Sequence, residues 1–403
     1  MKQETPKPSY SSQSFVFSAE DLADYTQVRE KVSAGGKYVR YGADNKWPLF
    51  VVSLLDKSPI HKAIIDRKIQ LVLGTSFEMK NLTDTFLQNN PDIEETYKKA
   101  LIDYVILGYF SLRIYPNRAG DKIARIQHCD ATSVRSGVRN EEGKIEKYYI
   151  SDDWTSKTRP SIKEYPKFNP EQIGKEVSIF VYNSYTPSSK YYSVPSYNAA
   201  INDIVVDGEI SKFHLANIDN GFNPSVHIRV NKDIEDPIIR DEEAENIYTN
   251  YKGSLRAGEA FITFNSPEEK GIEVNPINSN TNDEKFLSLY EKTVQSILSA
   301  HSVTSPLLFG IKTTGQLGGS TELLEAQELF TNSFVSPTRT LLTGIFTSLF
   351  ELAEMSNVEI TFEDVPIISN KFSEATLSKI LTVNEMRKLA GYEPIDNGNI
   401  LLT

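Results

Sequence analysis

Three short runs in the 403-residue chain combine residue types able to do chemistry. His128-Cys129-Asp130 sets an imidazole, a thiol and a carboxylate side by side, the groups from which an activated nucleophile is built. Adjacent residues at a strand end point in different directions, however, and a nucleophile needs its base within hydrogen-bond reach. Gly310-Ile-Lys-Thr-Thr-Gly315 opens like a phosphate-cradling P-loop. It fails where that loop needs Lys-Ser/Thr, because Gln316-Leu317 stand there and nothing reaches the terminal phosphates. Glu268-Glu269-Lys270 has the Glu-x-Lys ending of metal-dependent nuclease sites. Flanked by Pro267 and Gly271, it reads as a solvated hairpin turn, and no carboxylate cluster completes a nuclease site on Glu268 and Lys270. The five histidines, His61, His128, His214, His227 and His301, form neither an HExxH nor an HxH pair, so they read as structural or surface groups. A single cysteine, Cys129, leaves no intrachain disulfide and no cysteine-based zinc site. The expectation is a protein that is not an enzyme and needs neither cofactor nor metal.

One loop keeps its interest. Residues 310–320 hold four glycines, Gly310, Gly315, Gly318 and Gly319, and one cation, Lys312, between two predicted helices. Helix–helix connections usually take ~2–8 residues, and longer ones tend to be functional.

The elements around these runs follow from hydrophobic period. Ser58-Pro59 starts a helix, since Ser caps well and Pro suits the first helical position. Ile60, Ile64, Ile65, Ile69 and Val72 keep its spacing as far as Gly74. A second helix covers about 92–107 and ends on Gly108, which can supply a left-handed cap. The period then falls to two: 109–115 and 122–127 form a hairpin about 117–120, with further strands at 144–150 and 177–182. A long helix follows Tyr192-Ser-Val-Pro-Ser-Tyr197, its stripe broken by Gly208, and stops at Gly221 and Pro224. Between it and a second long helix, 283–301, lies an insert with strands at 226–230, 259–264 and 272–274 and an acidic helix at 241–252. One helix then starts at Thr321 and another runs from Ser336 to about Met355, followed by a strand at 358–362 and helical segments at 373–380 and 383–390. Residues 1–57, Pro- and Ser-rich at the start, read as an extended arm that packs on a neighbour.

Charge narrows the function class. Lys and Arg total 43 against 54 Asp and Glu, a net charge of −11, so the chain is no general polyanion binder. Residues 198–301 alone carry nine Lys/Arg and eighteen Asp/Glu, most of the imbalance. That is a solvated surface, or a wall past which a polyanion slides without sticking. No apolar run approaches the ~18 residues of a membrane span, and the opening residues lack a signal-peptide core. The expected setting is a reducing cytoplasm.

In the order of its parts, the chain resembles the portal proteins, the head-to-tail connectors of tailed bacteriophages, over about residues 58–395. Four local matches carry the resemblance. They are Leu101–Tyr115 with Asn117-Arg-Ala-Gly120; Tyr192-Ser-Val-Pro-Ser-Tyr197 leading into a long helix that ends near Asn220–Pro224; His301-Ser-Val-Thr-Ser-Pro-Leu-Leu-Phe-Gly310; and Leu381-Thr-Val-Asn-Glu-Met-Arg-Lys-Leu-Ala-Gly-Tyr-Glu-Pro394. The third departs from the family's Gly-Val-Pro-Pro-x-Leu-Leu-Gly, with Ser302 in place of Gly and Thr304 in place of the first Pro.

The resemblance implies an α+β portal-type fold: an α/β wing, two long stem helices, a small α/β clip insert and a small helical C-terminal crown. Carried onto this chain, 1–57 is the arm, 58–197 and 323–368 the wing, and 198–220 and 283–301 the stem helices. The clip is 221–282, the tunnel loop 302–322, and the crown 369–403. It further implies a ring of twelve subunits at one capsid vertex of the virion, assembled in the host cytoplasm. Double-stranded DNA would pass through the ring, packaged by the terminase motor and later ejected. Expected partners are the terminase large subunit, head–tail adaptor proteins, the major capsid protein and, further, scaffold, with no membrane. Lys312, Thr313, Thr314 and Gln316 would line the DNA channel, and Asp241, Glu242, Glu243 and Glu245 would serve clip docking. The competing expectation is a head-completion or adaptor protein, a class usually much shorter and without the helix–insert–helix order.

Overall fold

Ser58 does two jobs at the start of the first long helix. Its hydroxyl accepts from the His61 amide at 3.1 Å, filling the N-cap, and donates to Asp207 Oδ2 at 2.6 Å, tying that helix to another far along the chain. The computed structural model describes residues 30–154, 161–187, 189–219, 226–230, 238–239, 242, 261–264, 272–276, 282–311, 320–366, 381–389 and 391–401.

In chain order, β1 (Glu30–Val32) and β2 (Val39–Tyr41) pair as a hairpin, followed by α1 (Trp47–Lys57) and α2 (Pro59–Leu73). Then come β3 (Ser76–Lys80), α3 (Asp84–Asn89) and α4 (Ile93–Leu107). The strands β4 (Tyr109–Pro116), β5 (Ile123–Cys129), β6 (Val134–Ser136), β7 (Lys147–Ile150), β8 (Lys163–Pro166) and β9 (Ser178–Asn183) build two three-stranded antiparallel sheets. Their orders are β5-β4-β9 and β6-β7-β8. In the first, Leu112 stands opposite both His128 and Phe180, and the central strand β4 is buried over most of its length.

The long helix α5 (Ile201–Asp219) leads into β10 (Val226–Val230), β11 (Phe261–Phe264) and β12 (Ile272–Pro276), and α6 (Asn282–Ala300) returns. In this insert β10 is central, parallel to β11 and antiparallel to β12. The helices α5 and α6 pack on each other, so a small sheet is inserted between two packed long helices, as the sequence pattern predicts. After α6, α7 (Ser320–Phe330) and α8 (Ser336–Glu351) are followed by β13 (Glu359–Glu363), which pairs antiparallel with β3, and by α9 (Val383–Leu389).

Two expectations are corrected. Residues 30–57 are not an extended arm: Trp47, Phe50, Val51 and Leu54 of α1 are buried. Each such side chain is worth ~1.5–3 kcal/mol when removed from water, so this segment belongs to the core. Pro48, one residue into α1, sits where a missing N–H costs nothing. The rest of the expected arm, residues 1–29, lies outside the described residues. The helices expected from Thr321 and Ser336 form one continuous rod, joined by a π-helical turn, Thr331–Val335, just ahead of Pro337. A widened turn accommodates a proline that a regular α-turn would reject.

The main hydrophobic core draws on residues from Val39 to Met355, with both halves of the chain contributing, and a smaller buried cluster gathers Cys129, Val134, Tyr148, Ile150 and Ile179. Gly208, which breaks the α5 stripe, lies where that helix crosses the end of α1. A Cβ there would meet the Lys57 carbonyl oxygen at 3.0 Å.

Candidate functional site

Three of the four sequence runs that carry the portal resemblance meet at one place. At the end of α4, Gly108 takes the left-handed conformation with φ 80°. The segment Val194-Pro195 lies so close that a Cβ on Gly108 would meet the Val194 carbonyl oxygen at 2.7 Å. Ser193 Oγ donates to the Gly108 carbonyl at 3.1 Å, and Tyr197 Oη donates to the Ile106 carbonyl at 2.6 Å. The Tyr197 ring then stacks on His301 at the end of α6, with centroids 4.6 Å apart and planes inclined by 25°.

His301 caps α6 and begins the path into the glycine-rich loop. Val303 N donates to Leu298 O and Ser302 N to Ser299 O, both at 3.0 Å, the paired bonds of a Schellman turn. Ser302 occupies its left-handed position with φ 53°, a conformation that favours glycine. The structure thus puts Ser302 in a glycine conformation at the position where the family pattern has Gly. Beyond it, Thr304 Oγ1 donates to the Ala326 carbonyl at 2.8 Å, holding the segment to α7. Pro306–Phe309 forms a short 3₁₀ turn closed by Gly310 at φ 73°. Arg67 Nε donates to the Leu308 carbonyl at 3.1 Å, and Phe309 packs edge-on to Phe330 with centroids 5.0 Å apart. The loop therefore leaves from an anchored base and re-enters at the start of α7.

Behind that base lies a chain of titratable groups on which the sequence reading placed no role. Lys68 of α2 is buried, with its Nζ 3.3 Å from His301 Nδ1, and His301 Nε2 is 3.0 Å from His61 Nδ1. A lysine ammonium only donates, so His301 Nδ1 accepts and its Nε2–H donates to His61 Nδ1. The remaining His61 nitrogen, Nε2, then carries its proton in a buried position with no partner among the described residues. Burial pushes Lys68 down to about 7. Burial, and then the neighbouring Lys68 charge, push His61 down to about 3 and lower His301 as well. The signal for Lys68 was present in the sequence: it falls on the stripe Ile60, Ile64, Lys68, Leu71 and Val72 that α2 buries.

The other sequence candidates come out as follows. His128 Nε2 pairs with Asp103 at 2.7 Å rather than with Cys129, which is buried and whose thiol burial pushes up. A buried, protonated thiol turned from its imidazole neighbour is inert. Lys312, Thr313, Thr314 and Gln316 lie outside the described residues, as do Asp241, Glu243, Glu245, Glu268 and Lys270. Glu242 is described and exposed. Among the described residues no group of three or more His, Cys, Asp or Glu could hold a metal ion, and no helix is long and apolar enough to cross a membrane.

The fourth run is explained by capping. Thr382 Oγ1 accepts from Glu385 N at 3.3 Å, and Glu385 Oε2 accepts from Thr382 N at 2.8 Å, a reciprocal capping box at the start of α9. Asn384 exchanges bonds with the returning chain, accepting from Ile395 N and donating to Ile395 O. Its amide crowds Gly398, where a Cβ would run into Asn384 Oδ1. Arg387 Nε donates to the Glu393 carbonyl at 2.8 Å.

No family model and no curated protein matches the sequence. Solved structures do match. A chain in the virion of a native gene transfer agent particle aligns at a TM-score of 0.51 with 16% identity, over 86% of this chain and 94% of its own. A chain in the neck of an empty gene transfer agent particle, computed with C6 symmetry, aligns at 0.50 with 15% identity and the same coverage. This chain shares their fold. A crystal structure of a HK97-family phage portal protein from Corynebacterium diphtheriae also aligns, over 77% of this chain and 95% of its own, with 11% identity and a TM-score of 0.43. The mixed helix-and-sheet architecture agrees with the expected α+β class.

Proposed function

We propose that the chain is a phage portal protein, one subunit of a ring-shaped channel at a capsid vertex through which double-stranded DNA enters under the terminase motor and later leaves. The observation that carries this reading is the fold shared with gene transfer agent neck and virion chains over 86% of the sequence. In this reading 58–197 and 323–368 form the wing, and 198–220 and 283–301 are the stem helices. The stretch 221–282 is the clip, where terminase and adaptor proteins dock on Asp241, Glu242, Glu243 and Glu245. The tunnel loop is 302–322 and the crown 369–403. Lys312, Thr313, Thr314 and Gln316 face the channel, each making weak contacts repeated round the ring. The acidic bias of 198–301 suits a duct that must not hold its cargo, because like charge raises the energy of sticky contacts with phosphates. Work is supplied by the motor, so no catalytic group is needed on this chain.

Electron microscopy of the purified chain tests the reading. Rings with a central hole are expected, whereas a mass corresponding to a stable monomer at high concentration rejects it.

A further inference from the structure

A cavity of about 460 Å³ opens beside the buried end of Lys68. Its walls come from α2, the end of α4, the 184–196 segment, the α6 cap and the turn ahead of α8. Hydroxyl residues dominate its polar lining, among them Ser196, Ser302, Ser333 and Thr338, and among the described residues no carboxylate lines it. A buried cation is tolerated when its donors are used and its charge is offset.

Arg135 gives the standard within the same chain. It is fully buried, and its guanidinium donates to Asn45 Oδ1 at 2.6 Å and to the carbonyls of Asn45, Thr132 and Val134, each at 2.8 Å. Lys68 is 2% exposed and donates to one imidazole nitrogen, with the Phe334 ring 4.5 Å from its Nζ. Among the described residues no carboxylate pairs with it. The ammonium keeps unused donors and faces a polar space.

We propose that this cavity is an anion site, in which a small tetrahedral oxyanion of the sulfate or phosphate class binds Lys68 Nζ and the surrounding hydroxyls. Such an ion supplies the acceptors and the negative charge that Lys68 lacks, in the manner of charge-assisted hydrogen bonds elsewhere. It also bridges α2, the α6 cap and the π-helical turn, next to the base from which the 312–319 loop leaves. The proposal rests on these residues and not on the portal reading.

The probe is sodium sulfate, whose charge is constant near neutral pH, added to the full-length chain at ionic strength matched with sodium chloride. Folding stability is read by denaturant unfolding. At sulfate ten times above its Kd, the folding equilibrium constant of the wild type is expected to rise about tenfold over the chloride control. Lys68→Met is expected to abolish the rise. This also separates site binding from general salting effects, which both proteins share. Thr338→Val, close to isosteric, is expected to weaken sulfate several-fold, and it decides the matter if the Lys68 variant does not fold. No sulfate effect in the wild type, as when a carboxylate of a second copy already fills the cavity, overturns the proposal. So does an equal effect in the folded variants.

Discussion

The Tyr197 ring stacks on His301 across 4.6 Å while its hydroxyl donates to the Ile106 carbonyl. One side chain thereby joins the end of α4, the start of α5 and the end of α6. The helices that flank the insert are thus fixed to the main core at their roots, and the loop after α6 starts from an anchored base. In the proposed ring, force on the insert or the loop would be carried to the core through this junction.

The close approach at Gly108 makes a first prediction. Alanine there would need φ near 80° and would press its Cβ into the Val194 carbonyl oxygen at 2.7 Å. Left-handed strain alone costs ~1–2 kcal/mol, and the steric clash adds to it. Gly108→Ala is expected to lower stability by at least ~2 kcal/mol in a urea titration. A change under ~0.5 kcal/mol would mean that the two segments are not packed this way.

Ser302 predicts the opposite sign. It pays left-handed strain at the Schellman position, where glycine pays none but loses more chain entropy on folding. Ser302→Gly is therefore expected to stabilise by ~0.5–1 kcal/mol, measured as a raised denaturation midpoint at unchanged slope. A loss of stability would show that the serine side chain matters more than its backbone.

The buried Lys68–His301–His61 chain sets the pH dependence. Unfolded lysine keeps its proton to 10.5 and folded Lys68 only to about 7. Between those values the unfolded state holds more protons, so stability rises with pH across that window, and the penalty is complete below about 7. His61 titrates at 6.5 unfolded and about 3 folded, so stability falls as pH drops from 6.5 towards 3. The groups facing Lys68 are His301 and His61, both held neutral, with Tyr104 across the cavity. Each group can contribute a slope of up to ~1.4 kcal/mol per pH unit. Lys68→Met is expected to flatten the rise between pH 7 and 10 and to stabilise most at pH 6. An unchanged alkaline limb would show that Lys68 stays charged in the fold.

The sequence made the regular elements readable because their signals are local. Ser58-Pro59, the Gly108 stop and the Thr382–Glu385 box are caps that work within a few residues. The α1 helix was hidden because its only start signal is Pro48 and its neighbours Gly35-Gly36 and Gly42 suggest irregular chain, while Trp47 is buried against a Tyr41 ring that is itself stacked on Tyr192, far along the chain. The Lys68 cavity was illegible for the same reason. Its walls come from segments more than 200 residues apart, and only the odd lysine on an apolar stripe hinted at it. The break expected between α7 and α8 came from reading Pro337 as a helix start, where a π-helical turn carries the rod through.

The last prediction concerns the apolar stripe of α6. Leu287, Tyr290, Val294, Ile297 and Leu298 follow one another at helical spacing. Towards the C-terminal end the stripe enters the core, with Val294 7%, Ile297 0% and Leu298 4% exposed, whereas Tyr290 is 41% and Leu287 60% exposed. One stripe is thus covered by its own chain at one end and left open at the other. Contiguous exposed apolar residues mark contact surfaces, and in the proposed ring the cover is the same helix region of the next subunit. Leu287→Glu with Tyr290→Glu is expected to leave the thermal midpoint of the isolated subunit nearly unchanged, since surface substitutions away from special features usually fall within about ±0.5 kcal/mol. The same pair is expected to convert rings to smaller species in mass photometry, because two carboxylates per subunit would have to be desolvated at every interface. Rings of unchanged mass would remove this face from the interface, and loss of the folded monomer would assign it to the chain's own core.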